Sequence, residues 1–270
     1  MADRKVEKAA AEFRNSVSLA EAPRVQRYHL ASPIVASMQH DGTAASDGAG
    51  DTNIWHFVGG NYLYTVPIVG QTLTNPVATT TGLDVTGDNT NNDGREITSA
   101  SSLCKGQDGR DFYTVGGGAF YTKITCTIAD ISDFDDIRFG FRKNQAFGAA
   151  QDDYDDVAGF KIVAGDISTI GILDDGTEIV TDTTVNITDG SSVTMEIKVD
   201  NAGNVTTLLN GDSYPVYSTG TTDLVLAAGE EMCMYWYHLK NGANTALAVQ
   251  WTALEHGLDA SRSDKTIVLT

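Results

Sequence analysis

Proline, cysteine and positive charge are all scarce in this chain of 270 residues. Five prolines leave long stretches free to pair as strands, because proline interrupts helix interiors and sheet ladders alike. The three cysteines, Cys104, Cys126 and Cys233, are an odd, widely spaced set without a C-x-x-C pair. That spacing argues against zinc and thioredoxin-like chemistry and leaves Cys126 and Cys233 as small buried hydrophobes. Lys and Arg number 18 against 36 Asp and Glu, a net charge of −18. A body of this sign is a poor partner for nucleic acid, since phosphate contacts need Lys and Arg. It suits a surface that resists self-association. No run approaches the ~18 apolar residues that span a bilayer, so no membrane partner is expected. The N-terminus lacks the apolar stretch of a secretory signal, and the expectation is synthesis and retention in a reducing cytoplasm.

Chemical signatures are also few. His29, His40, His56, His238 and His256 are scattered, with no H-E-x-x-H and no close pair. No G-x-S-x-G elbow occurs. Gly116-Gly117-Gly118 lacks the spacing and following helix of a phosphate loop and reads as a bend. Sugar hydrolysis needs two carboxylates across a cleft, yet Glu178 and Glu196 stand alone on expected strands. The reading is therefore no catalytic residues, no cofactor and no enzyme. Sustained heptads and fixed-period repeats are missing too, which argues against stalks, propellers and β-helices.

What the chain does contain is alternation. In Ser191 to Tyr214, Val193, Met195, Ile197 and Val199 point one way, and Thr194, Glu196 and Lys198 the other. That is the period of a half-buried strand. Asp200 to Asn204 supplies turn residues, Val205 to Leu209 returns, and Asn210-Gly211-Asp212 is a strong turn signal. The same pattern runs through Phe120 to Ile128 and Ile137 to Phe141. It continues through Phe160 to Ile162, Ile170 to Leu173, Glu178 to Val180 and Thr184 to Ile187. Leu224 to Leu226, Met232 to Leu239, Ala246 to Leu254 and Ile267 to Leu269 complete it. Ile54 to Val69 is expected to supply one or two more strands, and Leu73 to Ser102 a long excursion with a short strand at Leu83 to Val85. Short strands between turn signals, without interleaved helices, predict an all-β sandwich.

The beginning of the chain differs. Val6, Ala9, Ala10, Phe13 and Val17 recur at helical spacing, predicting a short amphipathic helix over 2–17. Thr43 to Gly50 reads as a flexible loop. Residues 1–30 carry a net +2 and the remainder −20. The expected division is a partner-binding N-terminal arm over 1–60 and a sandwich over 61–270, its regular core about 112–256.

Two further clusters stand out. Asp152, Asp153, Asp155 and Asp156 surround Tyr154 and offer oxygen to a cation such as Ca²⁺, but without the register of an EF-hand they read as a solvated acidic loop. Asp133, Asp135 and Asp136 form a weaker group. No metal site is assigned. Tyr235-Trp236-Tyr237 and the nearby Trp251 could stack on sugar, but alternation turns half of such a run into a core.

TMEIKVD, NAGN, VTTLLNGD and MYWYHL, within Phe120 to Leu254, resemble the concanavalin-like (laminin-G-type) jelly-roll sandwich. IRFGFRKNQAF and DDYDDVAGFKIVAGDI, with the hairpin, resemble virion structural proteins of tailed bacteriophages. That second resemblance implies a capsid decoration, or cement, protein. It would be made in the host cytoplasm and carried on the capsid surface, with the major capsid protein as partner and a homo-oligomer, a trimer, as its form. The alternative is a lectin-like host-recognition module of a tail or head fibre that binds glycan.

Overall fold

The computed structural model describes residues 25–28, 39–46, 51–57, 61–68, 77–78, 82–85, 94–99, 112–131, 134–145, 154–240 and 248–259. The early strands are β1 (Val25–Tyr28), β2 (Gln39–Ser46), β3 (Asp51–Phe57), β4 (Asn61–Ile68), β5 (Val77–Ala78), β6 (Leu83–Asp84) and β7 (Gly94–Thr98). The middle run is β8 (Phe112–Thr114), β9 (Phe120–Ile128), β10 (Phe134–Lys143), β11 (Val157–Val163), β12 (Asp166–Ile172) and β13 (Ile179–Asn186). The last are β14 (Ser192–Val199), β15 (Val205–Leu209), β16 (Asp212–Tyr214), β17 (Tyr217–Thr219), β18 (Thr222–Asp223), β19 (Glu231–Lys240) and β20 (Val249–Leu258).

These strands build two antiparallel sheets and a small hairpin. The first sheet runs β16-β15-β14-β9-β20-β6-β5, with β1 also paired to β20. The second runs β13-β12-β11-β10-β19-β7-β4-β3-β2, with β8 also paired to β19. β17 and β18 form the hairpin. Both sheets combine consecutive hairpin neighbours, such as β13-β12-β11-β10, with pairings across the chain: β9 lies between β14 and β20, and β19 between β10 and β7. The result is the expected jelly-roll β-sandwich of concanavalin-like form.

Alternation places the core between the sheets. Phe120, Ile124, Cys126 and Ile128 of β9 face Ile137, Phe139 and Phe141 of β10, and all seven are buried in one cluster. Each large apolar side chain buried this way stabilises the fold by roughly 1.5–3 kcal/mol. Aromatic rings join the two sheets directly. Trp236 of β19 meets Trp251 of β20 at 5.4 Å between centroids, and Phe120 meets Phe141 edge-on at 4.9 Å. Tyr113 of β8 stacks on Phe120 at 5.1 Å. Cys126 sits in this core, where burial pushes its thiol up to about 12, and Cys233 is buried as well.

The β14–β15 hairpin follows the expected register, with Val199 opposite Val205 and Met195 opposite Leu209. Its turn is tied by Asp200, whose carboxylate accepts hydrogen bonds from the backbone N–H groups of Ala202 and Asn204 and from the Asn204 amide. Gly203 closes it with φ of 89°. A Cβ there would lie 2.1 Å from the Leu226 carbonyl oxygen, so only glycine fits. Asn210 and Gly211 both take positive φ, 52° and 98°, as a two-residue hairpin turn demands.

Several elements differ from expectation. Glu178 to Val180 and Thr184 to Ile187 are not two strands, because β13 runs unbroken from Ile179 to Asn186. A register shift against Ile167 and Ser168 and a positive φ of 62° at Thr184 absorb the extra residues as a bulge. Leu224 to Leu226 makes only an isolated bridge, Val225 to Asn204. Part of the stretch read as a loop, Thr43 to Ser46, lies in β2, paired with β3. Long-range pairing there overrides small, polar local composition. Leu73 to Ser102 contributes β7, which lies between β4 and β19. The backbone of β1, β2 and β3, from the segment expected to be an arm, pairs within the two sheets. The predicted helix over 2–17, Cys104 and the strand Ile267 to Leu269 lie outside the described residues.

His256 is fully buried, with its Nδ1 2.6 Å from the Tyr113 hydroxyl. Burial lowers its pKa from 6.5 to about 3. The unfolded chain therefore protonates this imidazole well before the folded one does. Its contribution to stability is intact above pH 6.5 and is lost, by up to ~1.4 kcal/mol per pH unit, as pH falls towards 3. Urea melts across that window should show a shallower pH slope for His256→Gln than for the parent. An unchanged slope would mean that the ring is not held neutral.

Candidate functional site on the outer face of the larger sheet

Alternation that sends apolar side chains inward sends a different set outward. On β10, Ile137, Phe139 and Phe141 enter the core, so Asp136, Arg138, Gly140 and Arg142 lie on the opposite face. On β19 the inward residues are Met232, Met234 and Trp236, which leaves Cys233, Tyr235 and Tyr237 outward. Glu96 and Thr98 of β7 stand beside Tyr237 and Tyr235. Lys161 of β11 stands opposite Arg138, and Gly159 opposite Gly140. This outer face is buried in its own right. Tyr154, Val157, Ile170, Ile172, Tyr235 and Tyr237 form a cluster separate from the main core.

The face holds two charge networks. In the first, Arg142 donates through Nε and Nη2 to Glu96 Oε1, at 2.9 and 2.6 Å. The Tyr154 hydroxyl donates to Glu96 Oε2 at 2.6 Å, and the Arg142 guanidinium lies 4.4 Å from the centre of the Tyr154 ring. Arg142 also donates to the carbonyls of Lys143 and Gln145. Burial disfavours the Arg142 charge, but Cys233, Glu96 and Tyr154 outweigh it and hold the guanidinium protonated.

The second network is a quartet. Arg138 Nε donates to Asp136 Oδ2 at 2.7 Å, and Arg138 Nη1 donates to Glu178 Oε1. Lys161 Nζ lies 3.5 Å from Asp136 Oδ2 and 3.3 Å from Glu178 Oε2. Burial pushes the Asp136 carboxyl up, against the pull of Arg138 and Lys161. Tyr235 lies between the networks, opposite Gly140, with a buried hydroxyl that has no hydrogen-bond partner among the described residues. Burial raises its pKa. The Gly140–Gly159 pair lets the strands approach so closely that a Cβ on Gly140 would sit 2.2 Å from the Ala158 carbonyl oxygen.

The acidic stretch behaves as neither free loop nor metal cage among the described residues. Lys143 Nζ lies 3.2 Å from Asp155, 3.5 Å from Asp156 and 3.1 Å from Glu230. Its own ammonium thus stands among the carboxylates offered to a cation. No group of three or more His, Cys, Asp or Glu among the described residues is arranged to hold a metal ion. Asp152 and Asp153, and the side chains of Asp133 and Asp135, lie outside the described residues.

The remaining sequence candidates scatter. His238, which carries the one imidazole on β19, accepts a hydrogen bond from the Trp236 indole inside the core. Glu196 pairs with Lys123 and Lys198 on the other sheet. Gly116 to Gly118 is a turn, as read from sequence. Trp236 and Trp251 are core, and so are both flanking tyrosines, through the second cluster rather than the first. Glu178 does not stand alone, because β10 carries Asp136 beside it. Glu96, Arg142 and Tyr154 were not singled out by sequence. A signal existed for Arg142, since Arg138 and Arg142 occupy the outward positions of an alternating strand. None existed for Glu96, in a stretch without a readable period.

No family model matches the chain, and no characterised protein matches it in sequence. Solved structures do match in fold. A protein of unknown function from Shewanella oneidensis MR-1 is 12% identical, covering 75% of this chain and 82% of its own, with a TM-score of 0.45. The carbohydrate recognition domain of Emp47p is 9% identical over 72% of this chain and 88% of its own, with a TM-score of 0.49. An alginate lyase from Pseudomonas aeruginosa is 12% identical over 74% and 83%, with a TM-score of 0.43. The expectation that the chain is not an enzyme is corrected by these lyases, which place catalysis on sandwiches matched to this one. At such identity they assign no activity to it.

Breaking the Glu96–Arg142 pair leaves one charge buried without its partner. Glu96→Gln should cost ~3–5 kcal/mol in urea denaturation, whereas Glu96→Gln combined with Arg142→Met should recover a large part of the loss. Additive costs in the two single variants would show that the side chains are not coupled.

Proposed function

We propose that this protein is a structural component of a tailed-phage virion, a decoration protein on the capsid surface. The segments that carry the resemblance, IRFGFRKNQAF and DDYDDVAGFKIVAGDI, span β10, β11 and β12. The observation that carries the reading is the uneven charge: residues 1–30 hold a net +2, and the rest of the chain −20. A strongly acidic sandwich suits a body held out in solvent, and the segment before β1 suits a contact with neighbouring shell subunits. β1, which follows residues 1–24 in the chain, pairs with β20. Several copies, as a trimer, would multiply weak contacts with the major capsid protein through avidity. Synthesis would take place in the host cytoplasm.

Deleting residues 1–24 leaves every described strand in place. The truncated protein should remain folded by circular dichroism yet fail to co-sediment with purified undecorated capsids. Retained binding would reject this reading.

The second reading is a lectin-like host-recognition module. It is favoured by the tyrosines and paired charges of the outer face, a combination suited to sugar rings and hydroxyls. Those rings are buried, so recognition there requires their cover to lift. A glycan array should then show binding that Tyr237→Ala removes; a blank array rejects it.

A further inference from the structure

The quartet from β10, β11 and the residue before β13 has more order than an ion-pair network needs. Lys161 Nζ has two carboxylates within 3.5 Å, Asp136 and Glu178. Asp136 is the more enclosed, with 13% of its side chain exposed. Its Oδ1 is buried and has no hydrogen-bond partner among the described residues. That environment favours the neutral acid, and burial accordingly raises the group's pKa. The other oxygen, Oδ2, receives the Arg138 Nε–H at 2.7 Å. Tyr237 stands beside Arg138 on β19 and is buried, limiting water on that side.

From this arrangement we infer that Lys161 and Asp136 are the two ends of a self-formed amide crosslink between β10 and β11. Each member of the quartet has a role. Glu178, 3.3 Å from Nζ, accepts a proton from the lysine ammonium. The freed amine attacks Cγ of the neutral Asp136 acid and forms the C–N bond. Negative charge develops on Oδ2, where the Arg138 N–H already points. Oδ1 then leaves as water, taking that proton from Glu178, and the C–O bond breaks as the carbonyl re-forms; the nitrogen gives its second proton to Glu178 and becomes the amide N–H. The lysine ammonium, the neutral Asp136 acid and the Glu178 carboxylate become one amide, one water and a protonated Glu178. No oxidant, cofactor or energy source is required, because the sheet holds the reacting groups together.

The other lysine among carboxylates, Lys143, does not fit the same role. Hydrogen bonds that it donates to Glu230 and Asp155 hold its ammonium charged against the opposing effect of burial. The crosslink would covalently staple two adjacent strands of the larger sheet, and the inference stands apart from the virion reading.

The test is the intact mass of the purified, denatured full-length chain. It should be lighter than the sequence mass by one water molecule. A tryptic digest should yield a branched peptide joining the Asp136 and Lys161 segments, with no cleavage after Lys161. Lys161→Arg should restore the full sequence mass. An unmodified parent mass overturns the inference. So does a water loss that persists in Lys161→Arg, or one traced to a linear peptide at Asp175-Gly176 or Asp189-Gly190, where aspartate can cyclise onto the backbone.

Discussion

The contact between Trp236 and Trp251 is the constraint on which the rest of this structure depends. These rings come from β19 and β20, the long strands at the centres of opposite sheets. Their packing fixes the separation of the sheets, and with it the positions of Phe120, Phe139, Phe141 and Met234 around them. Because side chains alternate along a strand, anchoring Trp236 inward also forces Tyr235 and Tyr237 outward. The same step on β10 forces Arg138 and Arg142 outward by anchoring Phe139 and Phe141. The charged outer face is thus a geometric consequence of the aromatic core.

That outer face carries an unusual burden. A sheet face lined with Arg, Glu and Tyr can be buried only if every charge finds a partner, since an isolated buried charge costs several kcal/mol. Glu96, Arg142 and Tyr154 meet that demand as a triad, and Asp136, Arg138, Lys161 and Glu178 as a quartet. Partners come from β7, β10 and β11, from the residue before β13 and from the segment before β11, so the networks tie together distant parts of the chain. The same enclosure that makes them costly to break shifts Asp136 towards its neutral form and leaves the Tyr235 hydroxyl without a hydrogen-bond partner among the described residues. Structural and chemical capacity therefore lie in the same side chains.

The net charge of −18 sets a long-range repulsion between copies of the chain that any contact between them must overcome. Fold alone leaves the choice of activity to particular residues.

The sequence by itself determined the class of fold and much of its detail. Alternation in Val193 to Val199 and Phe120 to Ile128, and the turns at Asp200 to Asn204 and Asn210-Gly211, are local patterns that local physics reads directly. It also determined that Cys126 and Cys233 are buried. Only the tertiary structure decided which strands became neighbours, because β10 and β19 pair across about a hundred residues of chain and no local pattern encodes that partner. It alone brought Glu178 to Asp136, turned Lys143 into the cation of its own acidic stretch, and placed Glu96 beside Arg142. The reason is the same in each case: a charge shows its meaning in the side chain it meets, and that meeting is set by sheet order rather than by spacing along the chain.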